Sequence, residues 1–287
     1  MVTAATRVTV QAGDTIAEAL RVGALDQHER RILLGHVLGL SRVQLITASE
    51  DILTGPQAQR VAQLFARRSA GEPIAYLTGC REFYGLAFAV SPAVLIPRPE
   101  TELLVELAID RLPRQGRVLD LGTGSGAIAV ALAYSRRDAS VTALDVSDAA
   151  LSVARRNAAH HAVQVQLMRS DWYAALTDQR FDMIVANPPY VVAGDAHLRE
   201  GDLRFEPIDA LTDHADGLSA LRQIIAGAAQ FLQPGGWLLT EHGYDQADSV
   251  RALLAAQRGT EIQSWKDLAG IERVSGARLS PDVVNAP

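Results

Sequence analysis

The spacing of apolar residues changes twice along this 287-residue chain. Residues 14–71 place apolar side chains at helical spacing, as in the run from Leu33 to Leu38. Between residues 76 and 96 the apolar positions alternate, and Gly85 stands where a tight turn would join two strands. From Arg117 onward, short apolar runs typical of buried strands alternate with helical patterns. The chain is therefore expected to form helices first, then a β-hairpin, then a series of strands and helices.

These patterns predict three domains. Residues 1–75 are expected to form a small helical domain, for which a protein-binding face and a purely structural cap are both open interpretations. Residues 76–96 are expected to form a β-hairpin linker, and residues 97–287 an α/β domain. In that last domain the alternation of strands and helices predicts an open, mostly parallel, doubly wound sheet.

Local signals predict where several helices begin. Asp26 and Glu29 have the spacing of a capping box, in which each side chain would satisfy a backbone N–H at the start of a helix. Thr54 followed by Pro56 predicts a second start, because proline is tolerated in the first helical turn. Asp148 follows the second strand of the α/β region and is expected to cap the helix there.

Composition excludes several classes of protein. A hydrophobic content of 48% with 21% charged residues is ordinary for a globular protein. No apolar run approaches the roughly 18–20 residues of a membrane span, and the N-terminus lacks the continuous apolar core of a secretory signal. A single cysteine, Cys80, excludes an internal disulfide and a cysteine metal cluster, and the histidines show no metal-ligand spacing. We therefore expect a cytoplasmic protein with no membrane segment and no bound metal.

The charge balance argues against binding to long nucleic acids. The formal net charge is −6, and the chain contains only one lysine. A protein that wraps nucleic acid non-specifically needs a basic surface to neutralise phosphates. No direct nucleic-acid partner is therefore expected.

One corner of the chain, Asn187-Pro188-Pro189-Tyr190, carries unusual chemistry. It follows residues 181–186, an apolar run that predicts a buried strand. Two consecutive prolines must end that strand, because neither can donate a backbone hydrogen bond and both restrict φ. The resulting stiff loop offers a side-chain amide, free carbonyls and an aromatic ring, which together suit a planar –NH2 group. An ordinary strand-ending turn remains the alternative for these four residues alone.

A second loop, Gly122-Thr123-Gly124-Ser125-Gly126, follows the first strand of the α/β region. Glycines tolerate tight turns with positive φ, so a ligand can approach the backbone closely at the start of the next helix. Asp145, twenty-three residues after Gly122, stands where a carboxylate can accept two ribose hydroxyl groups. Gly122, Gly124 and Ala127 also satisfy the looser dinucleotide pattern, so these features alone leave a nicotinamide site open.

Three further features favour a different ligand. Asp120 comes immediately before the glycine loop, where a carboxylate suits a positively charged amino acid moiety better than a pyrophosphate. Asp171 and Trp172 end the third strand with an acceptor and a flat apolar face that suit an adenine. The proline corner serves no purpose in hydride transfer. Together these features indicate S-adenosylmethionine delivered to a planar nitrogen.

The glycine loop, the acidic second strand and the proline corner resemble the class I methyltransferases that modify amide or exocyclic amino nitrogens. Within that class, the chain is similar to the release factor glutamine methyltransferases, known as PrmC or HemK. The resemblance covers about residues 70–279 and rests on GEPIAYLTG (71–79), REFYG (81–85), VSPAVLIPRPETE (90–102), SDWY (170–173), NPPYV (187–191), GDLRFEP (201–207) and ERVSGAR (272–278).

The resemblance implies a substrate, a product and a set of functional residues. The substrate would be the glutamine of the Gly-Gly-Gln loop in class 1 peptide chain release factors, and the product N5-methylglutamine. The helical N-terminal domain would dock the release factor, and the chain is expected to be a monomer. The residues expected to bind S-adenosylmethionine are Asp120, Gly122, Thr123, Gly124, Ser125, Gly126, Asp145, Asp171, Trp172 and Asn187. Those expected to bind the glutamine are Asn187, Pro188, Pro189 and Tyr190, of which Asn187, Pro188 and Tyr190 would be catalytic.

A mechanism follows from the chemistry of an amide. Its nitrogen is a poor nucleophile because the lone pair is delocalised, but its two N–H groups are good donors. Asn187 Oδ1 and the Pro188 carbonyl would accept both hydrogens, and Tyr190 would pack on the amide plane. Methyl transfer would then need neither a metal nor a covalent enzyme intermediate.

Three other functions fit these residues less well. Methylation of an exocyclic amino group in DNA or RNA is the principal alternative, but it calls for a basic face. A non-catalytic adaptor would have a damaged glycine loop or corner, and both are intact. A nicotinamide dehydrogenase would leave the corner unexplained. Whether Arg98, Glu100 or Glu241 contacts the methyl donor is left open.

Overall fold

The computed structural model describes residues 9–279. Residues 1–8 and 280–287, the ends of the first and last predicted domains, lie outside the described residues. The chain divides into two compact units, one ending at Gly79 and the other beginning at Cys80. The sequence places the first boundary after residue 75. The first unit extends further because the short helix Ile74–Thr78 spans that boundary and its Leu77 is buried in the apolar core of the helical unit.

The described part of the first unit contains five helices. They are α1 (Ile16–Ala19), α2 (Gln27–Leu38), α3 (Arg42–Thr47), α4 (Gly55–Ser69) and α5 (Ile74–Thr78). Leu33 and Leu34 of α2 and Val61 and Leu64 of α4 are fully buried against one another in the core of this unit. Val61 and Leu64 are three residues apart along α4, so they lie on the same face of this helix. Across residues 9–279, no helix combines the length and apolar surface needed to cross a membrane.

Two helix starts are capped differently from the predictions. Asp26 caps α2 as expected, but Glu29 does not complete the capping box and instead binds Arg68 of α4. A charged guanidinium is a stronger partner for a carboxylate than a backbone N–H, so the tertiary contact prevails. The helix after the second parallel strand is capped by Ser147, whose Oγ accepts from Ala150, and not by the exposed Asp148.

The second unit begins with the hairpin and continues as alternating strands and helices. Its elements are β1 (Cys80–Phe83), β2 (Leu86–Ala89), α6 (Glu102–Arg111), β3 (Arg117–Leu121), α7 (Ala127–Ser135), β4 (Ser140–Asp145), α8 (Asp148–His160), β5 (Gln166–Arg169), β6 (Phe181–Ala186), α9 (Ser219–Phe231), β7 (Leu232–Glu241), α10 (Ala247–Ala256), β8 (Thr260–Lys266) and β9 (Glu272–Leu279). Short 3₁₀ turns occur at Pro99–Thr101, Ala196–Arg199, Leu203–Phe205 and Ile208–Ala210.

The hairpin turns at the predicted glycine. Tyr84 and Gly85 both have positive φ, at 53° and 72°, as a two-residue turn with the twist of its strands requires. Phe83 and Phe88 pack edge to face and are buried in the core of the second unit. The hairpin that the sequence assigns to a linker is therefore part of this unit's core.

The central sheet confirms the predicted doubly wound architecture. Its strand order is β5-β4-β3-β6-β7-β9-β8, and β9 is antiparallel to both of its neighbours, β7 and β8, while all other pairs are parallel. One face packs against α6, α7 and α8, and the other against α9 and α10. Neighbouring residues of one strand serve opposite faces, as Val118 and Leu119 do in β3. This burial on both sides explains why the strands read as continuous apolar runs.

One strand is longer than expected. The apolar run from Trp237 to Glu241, which follows Pro234-Gly235-Gly236, predicts a strand that starts at Trp237, whereas β7 begins at Leu232. Leu232 pairs with Phe181 and Trp237 pairs with Met183, so the residues between them, which include Pro234, form a bulge. A bulge tolerates proline because its residues leave the ladder of backbone hydrogen bonds.

The order of the strands positions the candidate site. From β3 the chain proceeds outward through β4 and β5, then returns to form β6 on the other side of β3. Such a reversal leaves a crevice at the carboxyl ends of the strands, where open α/β sheets bind ligands. Leu121 of β3 pairs with Ala186 of β6 and with Leu144 of β4, so these three strands end at the same level.

Asn157 of α8 ties the hairpin to the glycine loop. Its side chain is buried, with 1% of its surface exposed. Asn157 Oδ1 accepts from Ala89 N at 2.8 Å, and Nδ2 donates to the Ala89 carbonyl at 3.0 Å and to the Ser125 carbonyl at 2.8 Å. One side chain therefore satisfies three backbone groups from two segments that carry no regular pairing with each other.

Replacement of Asn157 by alanine is expected to destabilise the second unit. It would leave three backbone groups without these partners, two of them part-buried and one buried, and the free energy of unfolding should fall by roughly 2–3 kcal/mol. Urea unfolding followed by tryptophan fluorescence measures this, because Trp172, Trp237 and Trp265 all lie in the second unit. The exposed neighbour Arg156 supplies the control. Equal stability of Asn157→Ala and Arg156→Ala would contradict the assigned role.

Candidate functional site

A cavity of about 280 Å³ lies at the carboxyl ends of β3, β4 and β6. The glycine loop and the proline corner both border it, so the two segments singled out in the sequence share one space. The predicted site residues that line the cavity are Gly122, Gly124, Asp145, Asp171, Trp172, Asn187 and Pro189. Those that do not line it are Asp120, Thr123, Ser125, Gly126, Pro188 and Tyr190.

The three glycines of the loop have positive φ but different surroundings. A side chain on Gly124 would meet nothing within 4 Å, so its backbone borders open space. A Cβ on Gly122 would lie 3.6 Å from the Trp172 ring, which packs against this part of the loop. A Cβ on Gly126 would lie 3.0 Å from Ala154 Cβ in α8, so this glycine permits close helix packing. The first two glycines therefore shape the cavity, and the third allows α8 to pack closely against the loop.

Asp145 fastens the glycine loop to the end of β4. Its Oδ2 accepts from Gly124 N at 2.8 Å, and its Oδ1 accepts from Ser147 N at 2.9 Å. Burial raises the pKa of Asp145, and these backbone donors oppose the rise by favouring the charged form. Each carboxylate oxygen can accept a second hydrogen bond, so Asp145 can still bind hydroxyl groups of a ligand.

Asp120 is a fully buried carboxylate directly behind the glycine loop. Thr123 Oγ1 donates to Asp120 Oδ2 at 2.6 Å, while Oδ1 is buried without a hydrogen-bond partner in the described structure. Burial raises the pKa of Asp120 to about 7, and the negative charge of Asp145 adds to the rise, although the Thr123 hydroxyl lowers it. A buried acceptor without a partner costs free energy, so this atom favours a ligand with a positively charged donor.

Trp172 is held in an uncommon backbone conformation, with φ at 44°. Ser170 Oγ donates to the Trp172 carbonyl at 2.7 Å and accepts from Ala175 N at 3.0 Å. These contacts stabilise the backbone turn that directs the indole ring towards Gly122. The ring and the neighbouring Asp171 both line the cavity, so a flat apolar surface and an acceptor occur side by side there.

The proline corner presents one side-chain amide to the cavity. Pro188 is buried, whereas Asn187 and Pro189 line the cavity. Asn187 Nδ2 donates to Thr101 Oγ1 at 3.1 Å, so its Oδ1 is left as an acceptor. Tyr190 does not line the cavity, and its hydroxyl donates to Glu241 Oε1 at 3.2 Å.

Sequence reasoning missed the walls of the cavity. Residues 93–95 form one wall and residues 207–210 contribute to another. Glu206 fastens the two segments, since its Oε2 accepts from Ile96 N at 2.9 Å and its Oε1 pairs with Arg98 at 2.5 Å. The segments 90–102 and 201–207 carry family resemblance in the sequence, but nothing in their residues indicates that the two segments meet. Arg98 therefore holds a wall of the cavity in place.

Comparison with sequence families divides the chain in two. A family model described as the methyltransferase small domain matches residues 99–201. A model described as the PrmC N-terminal domain matches residues 12–79. The chain is 56% identical over 274 residues to the release factor glutamine methyltransferase of Burkholderia pseudomallei, covering 92% of this chain and 96% of that protein. It is 45% identical over 261 residues to the release factor glutamine methyltransferase of Escherichia coli, covering 90% and 94%.

Solved structures of methyltransferases are similar in fold to about three quarters of this chain. One of them is the 16S rRNA N2 G1207 methyltransferase of T. thermophilus, solved in complex with AdoMet and guanosine. It is 26% identical to this chain, with a TM-score of 0.53, and the match covers 70% of this chain and 49% of that chain. A methyltransferase from Pyrococcus furiosus has a TM-score of 0.53 at 20% identity, over 76% of this chain and 98% of that chain. The architecture around the cavity is therefore that of methyltransferases.

The raised pKa of Asp120 predicts a pH-dependent loss of stability. Below about pH 4, aspartate is protonated in both the folded and the unfolded chain. As the pH rises towards 7, the carboxylate ionises in the unfolded chain first, because burial raises the pKa of Asp120 to about 7 in the folded one. The rise in pH therefore favours unfolding, by at most about 1.4 kcal/mol per pH unit.

Asp120→Asn removes this titration, so its stability relative to the wild type should increase from about pH 4 to about pH 7 and then remain constant. Urea unfolding of both proteins across this range measures the difference. Other titrating groups are common to both proteins and cancel in the comparison. A difference that is independent of pH would show that Asp120 is ionised in the folded protein throughout.

Proposed function

The chain belongs to the release factor glutamine methyltransferase family, and on that basis we propose that it methylates a glutamine side chain of class 1 peptide chain release factors. The methyl group comes from S-adenosylmethionine and is transferred to the side-chain amide nitrogen, N5, of the glutamine in the Gly-Gly-Gln loop. One observation carries this proposal: the glycine loop and the Asn187 amide border a single cavity. A donor on the loop and a carboxamide at the corner would therefore be neighbours.

The residues around the cavity fit S-adenosylmethionine. Asp145 keeps acceptor capacity for ribose hydroxyl groups, and Trp172 and Asp171 offer a flat face and an acceptor for an adenine. Asp120 does not line the cavity, but its carboxylate lies directly behind the glycine loop, where a negative charge would favour the positively charged methionine moiety. The open space beside Gly124 admits a ligand close to the backbone. When bound, S-adenosylmethionine supplies an electrophilic methyl carbon on a sulfonium sulfur.

The corner provides the means of holding a carboxamide. Asn187 Oδ1 is left as an acceptor by the hydrogen bond that Nδ2 makes to Thr101. The Pro188 carbonyl accepts no hydrogen bond from a backbone N–H among residues 9–279 and would be the second acceptor, although Pro188 itself does not line the cavity. Together the two accept both hydrogens of the glutamine –NH2 and orient its nitrogen. They also stabilise the positive charge that develops on this nitrogen during transfer.

The proton on the nitrogen can leave after the methyl group is transferred. An N-methylated, positively charged amide is strongly acidic, so water can accept its proton without a dedicated base. The residues of the corner therefore act by orientation and electrostatic stabilisation. Pro189 contributes an apolar wall that limits water beside the amide.

The partner and setting of the reaction follow from the same proposal. The first unit would dock the release factor, and the reaction would take place in the cytoplasm, where release factors act. We also expect the protein to act as a monomer. The net charge of −6 favours a protein substrate over an exocyclic amino group of DNA or RNA.

A parallel assay tests the substrate. Purified protein receives S-adenosylmethionine with a labelled methyl group, together with a class 1 release factor, its variant with the loop glutamine replaced by alanine, DNA or ribosomal RNA. We expect label in the intact release factor alone. Label in nucleic acid, or equal label in the variant without the loop glutamine, would overturn the proposal.

Asn187→Ala is expected to lower turnover by roughly 10²–10³, the loss typical of removing one preorganised polar partner. Affinity for S-adenosylmethionine should fall much less, because the glycine loop and Asp145 are unchanged. Steady-state kinetics give the turnover and calorimetry gives the affinity. Near-normal turnover of the variant would exclude Asn187 from the mechanism.

A further inference from the structure

Glu241 is a buried carboxylate beside the corner that the mechanism above does not use. It is the last residue of β7, and only 1% of its surface is exposed. Ala186 of β6 pairs with Thr240 of β7, so Glu241 lies next to Asn187 in the sheet. Glu241 does not line the cavity. A carboxylate is rarely buried without a specific purpose, because removing its charge from water is costly.

One hydroxyl group of the corner bonds to Glu241, and a second hydroxyl group bonds to the Asn187 amide. The Tyr190 hydroxyl donates to Glu241 Oε1 at 3.2 Å. The Thr101 hydroxyl accepts from Asn187 Nδ2 at 3.1 Å, and Thr101 is itself 4% exposed. Glu241 Oε2 is buried without a hydrogen-bond partner in the described structure. The Thr101 and Tyr190 hydroxyl groups both lower the pKa of Glu241 and so favour its ionised form. Glu241 therefore bonds to Tyr190 at one end of the corner, and its second oxygen is a buried acceptor that lacks a donor.

The single proton of the Thr101 hydroxyl decides how the Asn187 amide is oriented. An asparagine amide can rotate by half a turn and exchange its oxygen and nitrogen at almost no steric cost, so its partner selects the orientation. If Thr101 donates its proton to the acceptor-only carboxylate of Glu241, its oxygen is left to accept. Only Nδ2 of Asn187 can donate to it, and Oδ1 must then face away from Thr101, towards the cavity.

We propose that Thr101 and Glu241 are positioning residues, which fix the Asn187 amide with Oδ1 facing the substrate. The proposal rests on the proposed function and deepens it. Glu241 imposes the acceptor role on Thr101, and Thr101 imposes the donor role on Asn187 Nδ2. The charge of Glu241 is thus needed for orientation and not for contact with the glutamine.

The charged groups around Glu241 are consistent with an ionised state at neutral to alkaline pH. Burial raises the pKa of Glu241 to about 7, and Glu100 adds to the rise. The Thr101 and Tyr190 hydroxyl groups and Arg273 of β9 oppose it. The variants are therefore best compared at about pH 8, where the carboxylate is charged.

The first test replaces the Thr101 hydroxyl. Thr101→Val keeps the shape but cannot accept from Asn187, so turnover should fall by about tenfold to a hundredfold, as for other indirect orienting contacts. Thr101→Ser restores the hydroxyl and should recover most of the turnover. Thr240→Val is the matched control. Thr240 is buried on β7, next to Glu241, and its hydroxyl donates to the Ser275 carbonyl. Loss of this hydroxyl should leave turnover within about twofold of wild type.

The second test changes only the charge of Glu241. Glu241→Gln is nearly isosteric and still accepts from Tyr190, but its –NH2 can donate to Thr101. The Thr101 proton would then point to Asn187 Oδ1, and the amide would present its donors to the cavity. We expect turnover to fall by about tenfold to a hundredfold, while the urea-unfolding midpoint stays the same or rises because a buried charge is removed. A purely structural role predicts the opposite pattern, with lower stability and normal turnover.

A double-mutant cycle separates orientation from general damage. In an Asn187→Ala background there is no amide to orient, so Thr101→Val should cause no further loss of turnover. An additional tenfold loss there would overturn the proposal, as would near-normal turnover of Glu241→Gln or Thr101→Val. Calorimetric affinity for S-adenosylmethionine should stay within about threefold of wild type in all variants. If the wild type fails to methylate the release factor, the proposed function falls and this inference with it; failure confined to the variants overturns this inference alone.

Discussion

The pairing of β3 with β6 is the interaction on which the site depends. These strands run parallel, with Leu121 opposite Ala186, so Gly122 and Asn187 follow at the same level. A shift of one residue would displace the corner by about 3.3 Å along the strand, more than the tolerance of a hydrogen bond. It would also exchange the residues that face the two helical layers. The packing of the core and the alignment of the site are therefore secured by the same register.

The site is built from groups that oppose folding. Asp120 and Glu241 are both fully buried, and burial raises the pKa of each to about 7. A protein selected for stability alone would place apolar residues at such positions. Strongly shifted carboxylates that lie beside a cavity are typical of functional sites. Contacts elsewhere offset the cost: Asn157 satisfies three backbone groups, and Glu206 joins the walls of the cavity.

The sequence predicts those parts of the fold that depend on local pattern. The strands and helices from Arg117 onward follow from apolar periodicity, and the corner at Asn187 follows from two prolines after an apolar run. The doubly wound sheet follows from the alternation, because parallel strands need crossover helices. These features depend on residues that are close together in the sequence, so the sequence alone is enough to predict them.

Contacts between distant segments could not be predicted in this way. Glu206 and Ile96 are separated by 110 positions, and the apolar alternation that ends at Ile96 carries no information about a partner so far along the chain. Glu29 was expected to bind a nearby backbone N–H, but the fold brings Arg68 to it. The Thr101 hydroxyl at the corner is of the same kind, since its partner Asn187 is 86 positions away. A charged or polar side chain can bind any of several partners, and the fold determines which of them lies within reach.

The two acceptors of the corner are held in different ways, and this difference bears on specificity. The Pro188 carbonyl belongs to a backbone that two prolines stiffen, so its direction is set covalently. Asn187 Oδ1 can be exchanged for a donor by a half-turn of the amide, so its direction depends on hydrogen bonds from outside the corner. Two neutral acceptors match the two hydrogens of any planar –NH2, which a glutamine and a nucleobase both carry. Choice between these substrates must therefore come from surfaces beyond the corner, and an acidic protein with a separate helical unit offers such a surface to a protein more readily than to a polyanion.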